Sequence, residues 1–368
     1  MKIVHVSSAH TATDVRIFIK ECQALHRAGH DVSFVVPHPR DEVLDGVRIL
    51  GVPKRSGRLG RFARTGIDLL RRALATDAAV YHLHDPDLLP LIAVLKLAGK
   101  RVIYDAHEEL PKQILSKPWI APGLRFPIAS LAGALEKTVS RIADGIVAAT
   151  PPIARRFQAA KTVVVQNFPI PGEFDSRAAT PYSERLPLFV YLGGISAIRG
   201  VREMIGALER LPPTTELRLA LAGRFEDAAL ELECRMRPGW KRIDAMGFVG
   251  RGEVAALLGR SRAGLVLLHP VPNYVESYPT KLFEYMATGT PVIASDFPLW
   301  REIIAGSGCG LLVDPLDSAA IARAMTFIIE NPTEAAAMGK RGRAAVTTRF
   351  GWPAEEEKLL RLYRALER

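Results

Sequence analysis

The sequence predicts an α/β protein made of two doubly wound domains, and three observations carry that prediction. Short runs of Val, Ile, Leu and Ala alternate with helix-length amphipathic stretches from end to end. The short runs are apolar almost throughout, the pattern of parallel strands covered on both faces. The chain of 368 residues also exceeds a common single domain, and the stretch 167–187, rich in Pro, Ser and charge, separates two such series as a linker candidate.

In the first series the strand-like runs are 2–6, 31–36, 47–50, 80–84, 101–104, 145–148 and 162–166. The helix-like stretches between them are 15–28, 59–75, 88–97 and 124–141. The first of these sets Ile17, Cys22 and Leu25 at helical spacing and stops at Gly29, a residue suited to a left-handed helix end. The second series places strands at 188–192, 217–221, 242–246, 264–269, 291–294 and 310–313, with helices between. Three helical stretches follow, the last at 353–366. In such folds ligands lie beyond the carboxyl ends of the strands, so residues that follow strands are the candidates for function.

Composition narrows the class. The apolar fraction of 48% and charged fraction of 24% are those of a globular protein, not of a disordered or fibrous one. No apolar run reaches the ~18 residues of a spanning helix, and the opening MKIVHVSSAH reads as a strand rather than a signal peptide. Cys22, Cys234 and Cys309 are scattered and odd in number, which fits a reducing cytoplasm and forms neither a disulfide framework nor a zinc pattern. The net charge is uneven. Residues 1–170 hold 24 Lys+Arg against 15 Asp+Glu, whereas residues 171–368 hold 25 against 24. The basic half is expected to meet an anionic surface or substrate.

The most informative stretch is NYVESYPTKLFEYMATGTPVIASD, residues 273–296. Pro279 ends an extended segment and lets a helix begin near Thr280. Glu276 then lies in the preceding loop and Glu284 about one turn inside the helix. A helix start carries unpaired N–H groups and partial positive charge, a seat for a diphosphate. Carboxylates on either side of it can accept hydrogen bonds from vicinal diols.

The spacing Glu276–x7–Glu284 within that phrase resembles the E-x7-E signature of retaining glycosyltransferases, family 4 in particular. The opening AHTATDVRIFIKECQALHRAGHDV, the phrase YDAHEELP and the closing WPAEEEKLLRLYRAL are similar to other parts of that family in the same order. The resemblance implies the GT-B fold: two doubly wound Rossmann-like domains with an interdomain cleft and a C-terminal crossing helix. Residues 1–170, with 352–368 crossing back, would bind the acceptor, and residues 171–351 the nucleotide sugar. It implies that Glu284 binds the ribose and that Glu276 lies beside the donor sugar, with the segment Ser277, Tyr278, Pro279 and Thr280 turning its backbone N–H groups toward sugar and phosphates. His107, after the 101–104 strand, would lie beside the donor sugar, and Phe248 and Val249 would meet the base.

The chain departs from the family in its phosphate loop. A pattern like G-R-x4-K-G is expected after the first strand of the second domain, and here residues 193–200 read GGISAIRG. Arg199 takes the place of the Lys and Gly194 that of the Arg, so one cation is missing. Lys281 at the helix start is the favoured substitute, with Arg224 in LAGRFED as the other candidate. His84 and Asp85 in YHLHDPDLLP are expected at the acceptor, although Asp85 ahead of Pro86 also fits a helix cap. His10, Asp14 and Arg16 follow the first strand and are expected at the acceptor too, although relatives carry a Gly pair there that this chain lacks. No D-x-D flanked by apolar runs and no other metal constellation stands out, so neither metal nor cofactor is expected beyond the UDP- or GDP-linked co-substrate. The departing phosphate oxygen would take the acceptor's proton, and no general base is assigned.

From 54 to 73 the chain reads KRSGRLGRFARTGIDLLRRA. Its arginines fall largely on one helical side, with Leu59, Phe62, Ile67, Leu70 and Leu74 over much of the rest. A basic amphipathic helix of this kind is suited to an anionic leaflet. Nucleic acid is not expected, since no recognition motif accompanies the charge. The expectation is thus a hexosyl transfer to a glycan or lipid-linked acceptor in cell-surface or exopolysaccharide biosynthesis, in the cytoplasm or peripheral on the inner membrane face. A non-catalytic binding protein of this fold, or a transferase for a soluble acceptor, is the alternative.

Overall fold

The computed structural model describes residues 1–53, 64–117, 120–174 and 180–367. The chain divides into two compact units, Met1–Asn167 with Trp352–Arg368, and Phe168–Gly351.

The first unit is built on eight strands: β1 (Lys2–Val6), β2 (Asp31–Pro37), β3 (Glu42–Leu44), β4 (Val47–Val52), β5 (Val80–Leu83), β6 (Arg101–Ala106), β7 (Gly145–Ala148) and β8 (Thr162–Val164). Their order is β3-β4-β2-β1-β5-β6-β7-β8. Every described pair is parallel except β3 with β4. The direction of winding reverses between β1 and β5, so the loops that leave them open at one place. After β1 and the loop 7–14, helical residues Val15–Cys22 and Gln23–Arg27 run on from one another without a break. Asp14 opens this helix, its carboxylate accepting from the N–H groups of Arg16 and Ile17, and Ile19 N–H reaches back five residues to the Asp14 carbonyl at 3.1 Å. The first turns are therefore π-helical, a form found often beside functional sites.

The second unit has six strands: β9 (Leu188–Leu192), β10 (Arg218–Ala222), β11 (Ile243–Gly247), β12 (Ala263–Val266), β13 (Val292–Ser295) and β14 (Gly310–Val313). They lie in the order β11-β10-β9-β12-β13-β14, all described pairs parallel, which is the doubly wound order with its reversal between β9 and β12. The whole of β9, LFVYL, is buried. Phe189 and Tyr191 enter one apolar layer while Leu188, Val190 and Leu192 enter the other, because successive side chains of a strand point to opposite faces.

The three-residue β3 and the Leu110–Leu115 and Pro151–Ala154 helices were not anticipated; each is too short to show a period. The linker reading of 167–187 is corrected. Phe168 is buried in the second unit against Phe283 and Phe350, at ring-centroid distances of 4.8 and 5.5 Å, and Phe174 is buried with the Arg251 guanidinium over its ring. Tyr182 Oη donates to the Arg262 carbonyl at 2.8 Å. The described part of the segment is a strap packed on one unit, and residues 175–179 lie outside the described residues. The closing helix Trp352–Glu367 belongs to the first unit, where Trp352, Leu359 and Tyr363 are buried and Glu355 accepts from Gln166 N–H at 2.9 Å.

Candidate functional site

In the second unit the candidate donor residues gather where β9 ends. The turn after β9 can form only because two glycines pass each other. Gly193 has φ +103°, and a Cβ on Gly223 would sit 1.9 Å from the Gly193 carbonyl oxygen. The turn is then tied to both neighbouring loops. Ile195 N–H donates to the Arg224 carbonyl at 2.9 Å, Glu226 N–H to Ile195 at 3.0 Å, and His269 N–H to Ile198 at 2.9 Å.

Two cations converge on this turn. Arg199 donates from Nη1 to the Gly194 carbonyl at 3.2 Å and from Nε to Tyr274 Oη at 3.3 Å, and pairs with Glu226 at 3.7 Å. A Cβ built on Gly194 would lie 2.9 Å from Arg199 Nη1. The guanidinium expected on residue 194 is absent, and the one on Arg199 lies where it would begin. Lys281 approaches from the Thr280–Ala287 helix. Its Nζ is buried, lacks a hydrogen-bond partner, sits 3.8 Å from the Tyr191 ring centroid and faces the open side of Gly193. Burial first, then repulsion by Arg199, pushes its pKa down to about 7. A buried ammonium without an acceptor, beside a second cation, is a seat for a bound anion. Arg224 does not join it, since its guanidinium lies 5.7 Å over the Phe248 ring.

The segment before that helix differs in part from expectation. Glu276 closes the short Pro272–Val275 helix and Glu284 lies in the second turn of Thr280–Ala287. Pro279 is the N-cap and has no N–H to offer. The Ser277 N–H is also spent, on the Tyr274 carbonyl at 3.0 Å, and its carbonyl accepts from Trp300 Nε1 at 2.9 Å. The Tyr278 ring packs inward against Phe283 and Phe168. The N–H groups of Thr280 and Lys281 are those the helix start cannot use itself. Phe248 is exposed, as a base-stacking ring would need to be, whereas Val249 packs against the core. Tyr191, Tyr274 and Glu226 complete the setting and were not read from the sequence, because they come from three separate elements.

In the first unit a polar network fills the region where β1, β5 and β6 end. Arg16 grips Asp105 with Nε and Nη2, at 2.9 to 3.2 Å, donates from Nη1 to the Val165 carbonyl at 2.8 Å, and also pairs with Glu21. Arg16 is buried with all three nitrogens engaged, so it anchors the network instead of meeting an acceptor. Burial opposes the charge on Asp105, but Arg16 and then His107 hold its carboxyl well below the usual carboxylate range. Asp105 Oδ2 in turn faces His107 Nε2 at 3.2 Å and His84 Nδ1 at 3.3 Å. His84 Nε2 lies 2.8 Å from His5 Nδ1, His5 Nε2 3.4 Å from Tyr363 Oη, and Tyr363 Oη 2.8 Å from His82 Nδ1.

Burial pushes His84 down to about 4, and His5 and His82 well down, so all three are neutral near pH 7. One tautomer set that satisfies these contacts has His84 Nδ1–H donating to Asp105, His5 to His84, Tyr363 to His5 and His82 to Tyr363; the opposite sense, from His107 to His84 and on to His82, satisfies them as well. His107 is the member of this line that reaches the unit's surface. The other acceptor candidates hold the β1 loop. Asp14 caps the helix. Asp85 does not cap the turn at Pro86; it accepts from Ser7 Oγ and Ser8 N–H at 2.7 Å each and pairs with His10 at 3.2 Å. Burial works against the charge on His10, but Asp85 raises its pKa all the same. His10 is the more exposed of that pair.

Of the basic stretch, residues 54–63, with Arg58, Leu59, Arg61 and Phe62, lie outside the described residues. In the described Gly66–Leu74 helix, Leu70 and Leu74 pack against the unit's core, and Arg72 is paired with Asp41. The outward apolar side expected there is thus reduced to Ile67, which is about half exposed. Among the described residues, no helix is long and apolar enough to cross a membrane.

Comparison with known proteins agrees along the chain. Residues 15–168 match the family model described as Glycosyltransferase Family 4, and residues 173–345 match the one described as Glycosyl transferases group 1. The glycogen synthase of Mycobacterium tuberculosis is 23% identical over 94% of this chain and 89% of its own. The phosphatidyl-myo-inositol mannosyltransferase of Mycolicibacterium smegmatis is 26% identical over 93% and 87%. Among solved structures, sucrose-phosphate synthase from Thermosynechococcus elongatus superposes with a TM-score of 0.76 at 20% identity, over 99% of this chain and 98% of that one. Anabaena HepE in complex with UDP-glucose gives 0.74 at 15% identity, over 99% and 100%. With its two parallel doubly wound units and both family models matched in order, the chain belongs to the family-4 type of glycosyltransferases with the GT-B fold.

Proposed function

We propose that this glycosyltransferase is retaining and takes a hexosyl unit from a nucleoside diphosphate sugar, UDP- or GDP-linked. The acceptor is a hydroxyl of a glycan or lipid-linked molecule in cell-surface or exopolysaccharide building, at the cytoplasmic face of the membrane. The single observation that carries the reading is the pair Arg199 and Lys281 against Gly193 and Gly194, with Lys281 Nζ buried and lacking an acceptor. Two cations and the N–H groups of Thr280 and Lys281 suit a diphosphate and stabilise it as it departs, without a metal ion. Glu284, inside the same helix, takes the ribose hydroxyls; Glu276 takes the sugar's. In the transfer, the bond from the anomeric carbon to the diphosphate oxygen breaks. The acceptor oxygen bonds to the same face, and its proton leaves on the diphosphate.

The test is thermal shift and calorimetry with UDP, GDP, their glucose and mannose conjugates, and the free nucleosides. One diphosphate series should raise the melting temperature, since ligand at ~100 times Kd stabilises the native state by about 2.7 kcal/mol. Replacing Arg199 or Lys281 by Ala should weaken the diphosphate far more than the nucleoside. Equal losses for both would remove the phosphates from the site. Glu284→Ala should weaken nucleotide binding roughly 10- to 150-fold, the value of a charge-assisted hydrogen bond, while Glu276→Ala should mainly slow transfer. A product with inverted anomeric configuration by NMR would overturn the retaining assignment.

A further inference from the structure

The Pro122–Ser140 helix of the first unit is amphipathic in the wrong sense for a water-facing helix. Its one acidic residue, Glu136, is fully buried, accepting from Tyr104 Oη at 3.0 Å and pairing with Arg156 at 2.7 Å. Ala129 and Ser140 share that inward side. Outward stand Leu124, Ile128, Leu131 and Leu135, exposed by 57, 41, 73 and 49%. At 100° per residue these four fall within about 60° of one another, a stripe turned about 130° from the buried residues, with Phe126, exposed by 73%, outside it. Val94 and Leu97 on the Leu89–Leu97 helix, which packs beside this one, are exposed as well, Leu97 by 90%. A contiguous apolar stripe of this length on a single helix marks a surface that something covers.

We infer that the stripe Leu124–Ile128–Leu131–Leu135 is a membrane-docking face that lies in an anionic lipid surface. Charge selects the occupant. Residues 117–143 carry Lys117, Arg125, Lys137 and Arg141 against Glu136 alone, and Glu136 points inward. At the same 100° per residue Arg125 and Arg141 fall about 90° and 110° to either side of the stripe's centre, so cations flank it as on a helix that lies in the interface of an anionic leaflet. A second copy of the chain docking face to face would bring the same cations against each other. The inference deepens the membrane location proposed above and assigns a docking face to this helix.

The experiment is co-sedimentation with phosphatidylglycerol-containing and pure phosphatidylcholine vesicles at low and high salt. It compares the full chain, a variant carrying Leu124→Ser, Ile128→Ser, Leu131→Ser and Leu135→Ser, and a variant carrying Arg64→Glu and Arg71→Glu. All four stripe positions are exposed, so circular dichroism and nucleotide-induced thermal shift should be unchanged. Partitioning onto anionic vesicles is expected to fall at least ~100-fold in the stripe variant, and by far less in the arginine variant. The native cysteines are all buried. Leu131→Cys can therefore be labelled selectively with an environment-sensitive dye, whose emission should shift to the blue only with anionic vesicles. If the stripe variant pellets like the wild type, or the dye stays in water while the protein pellets, the stripe is not the docking face although the membrane location stands. If the wild type ignores anionic vesicles at low salt, both fail. A dimer in sedimentation equilibrium that the stripe variant abolishes, with no vesicle binding, would show a second copy on the face and also overturn the inference.

Discussion

Lys281 keeps an ammonium out of water beside a second cation, and its pKa near 7 makes the donor site sensitive to pH in a definite direction. A bound diphosphate favours the charged form, so above about pH 7 binding must first return a proton to Nζ. Affinity for the nucleoside diphosphate is expected to fall by up to about tenfold per pH unit from there toward the ordinary lysine value, while the bare nucleoside stays flat. Calorimetry in buffers of different ionisation enthalpy should show proton uptake on binding, and Lys281→Ala should abolish both effects. Without ligand the sign is the reverse. The folded state binds fewer protons than the unfolded chain between about 7 and the ordinary value of 10.5, so stability rises with pH across that window. Glu276, Lys281 and Glu284 were legible in the sequence because one helix start fixes their spacing. Tyr191 and Glu226 were not, because β9 and the loop after β10 bring them there and no local period marks either.

At the scale of the element, strands were legible to within a few residues where all their side chains are buried, as in β5, β7, β9 and β13. The described parts of 168–187 were read as a linker because Pro, Ser and charge describe a tethered segment as well as a free one, and only Phe168 and Phe174 hint at the difference. The helix at Val15–Cys22 shows what burial adds to local pattern. Its Arg16 reads as a loop cation, yet it is the counter-ion for Asp105. Arg16→Met should therefore leave a buried carboxylate with no guanidinium, at a cost of roughly 3–5 kcal/mol near pH 7. The sign follows from the depressed pKa of Asp105. The pair's contribution is present above the usual carboxylate range and is lost as pH falls through the folded value. Scanning calorimetry should thus show the gap between variant and wild type narrowing on acidification. A gap that is constant with pH would mean that packing, not charge, is what Arg16 supplies.

For the whole molecule, the first unit is incomplete without the last residues of the chain, since Trp352, Leu359 and Tyr363 are buried in it and Tyr363 Oη bonds to His82 at 2.8 Å. Ending the chain at Gly351 should lower the stability of that unit by several kcal/mol, each large buried side chain accounting for roughly 1.5–3. The second unit, continuous from Phe168 to Gly351, should keep its transition in the same calorimetric scan. This arrangement sets an order for biosynthesis. On the ribosome the N-terminal unit emerges first yet cannot close until residues 352–367 have followed, so the second unit is the first to reach its native state. A nascent chain stalled after Gly351 should accordingly yield a protease-resistant fragment of 168–351 while 1–167 is cut. Until release, the open half, with its apolar sheet faces, is the part that a chaperone would hold.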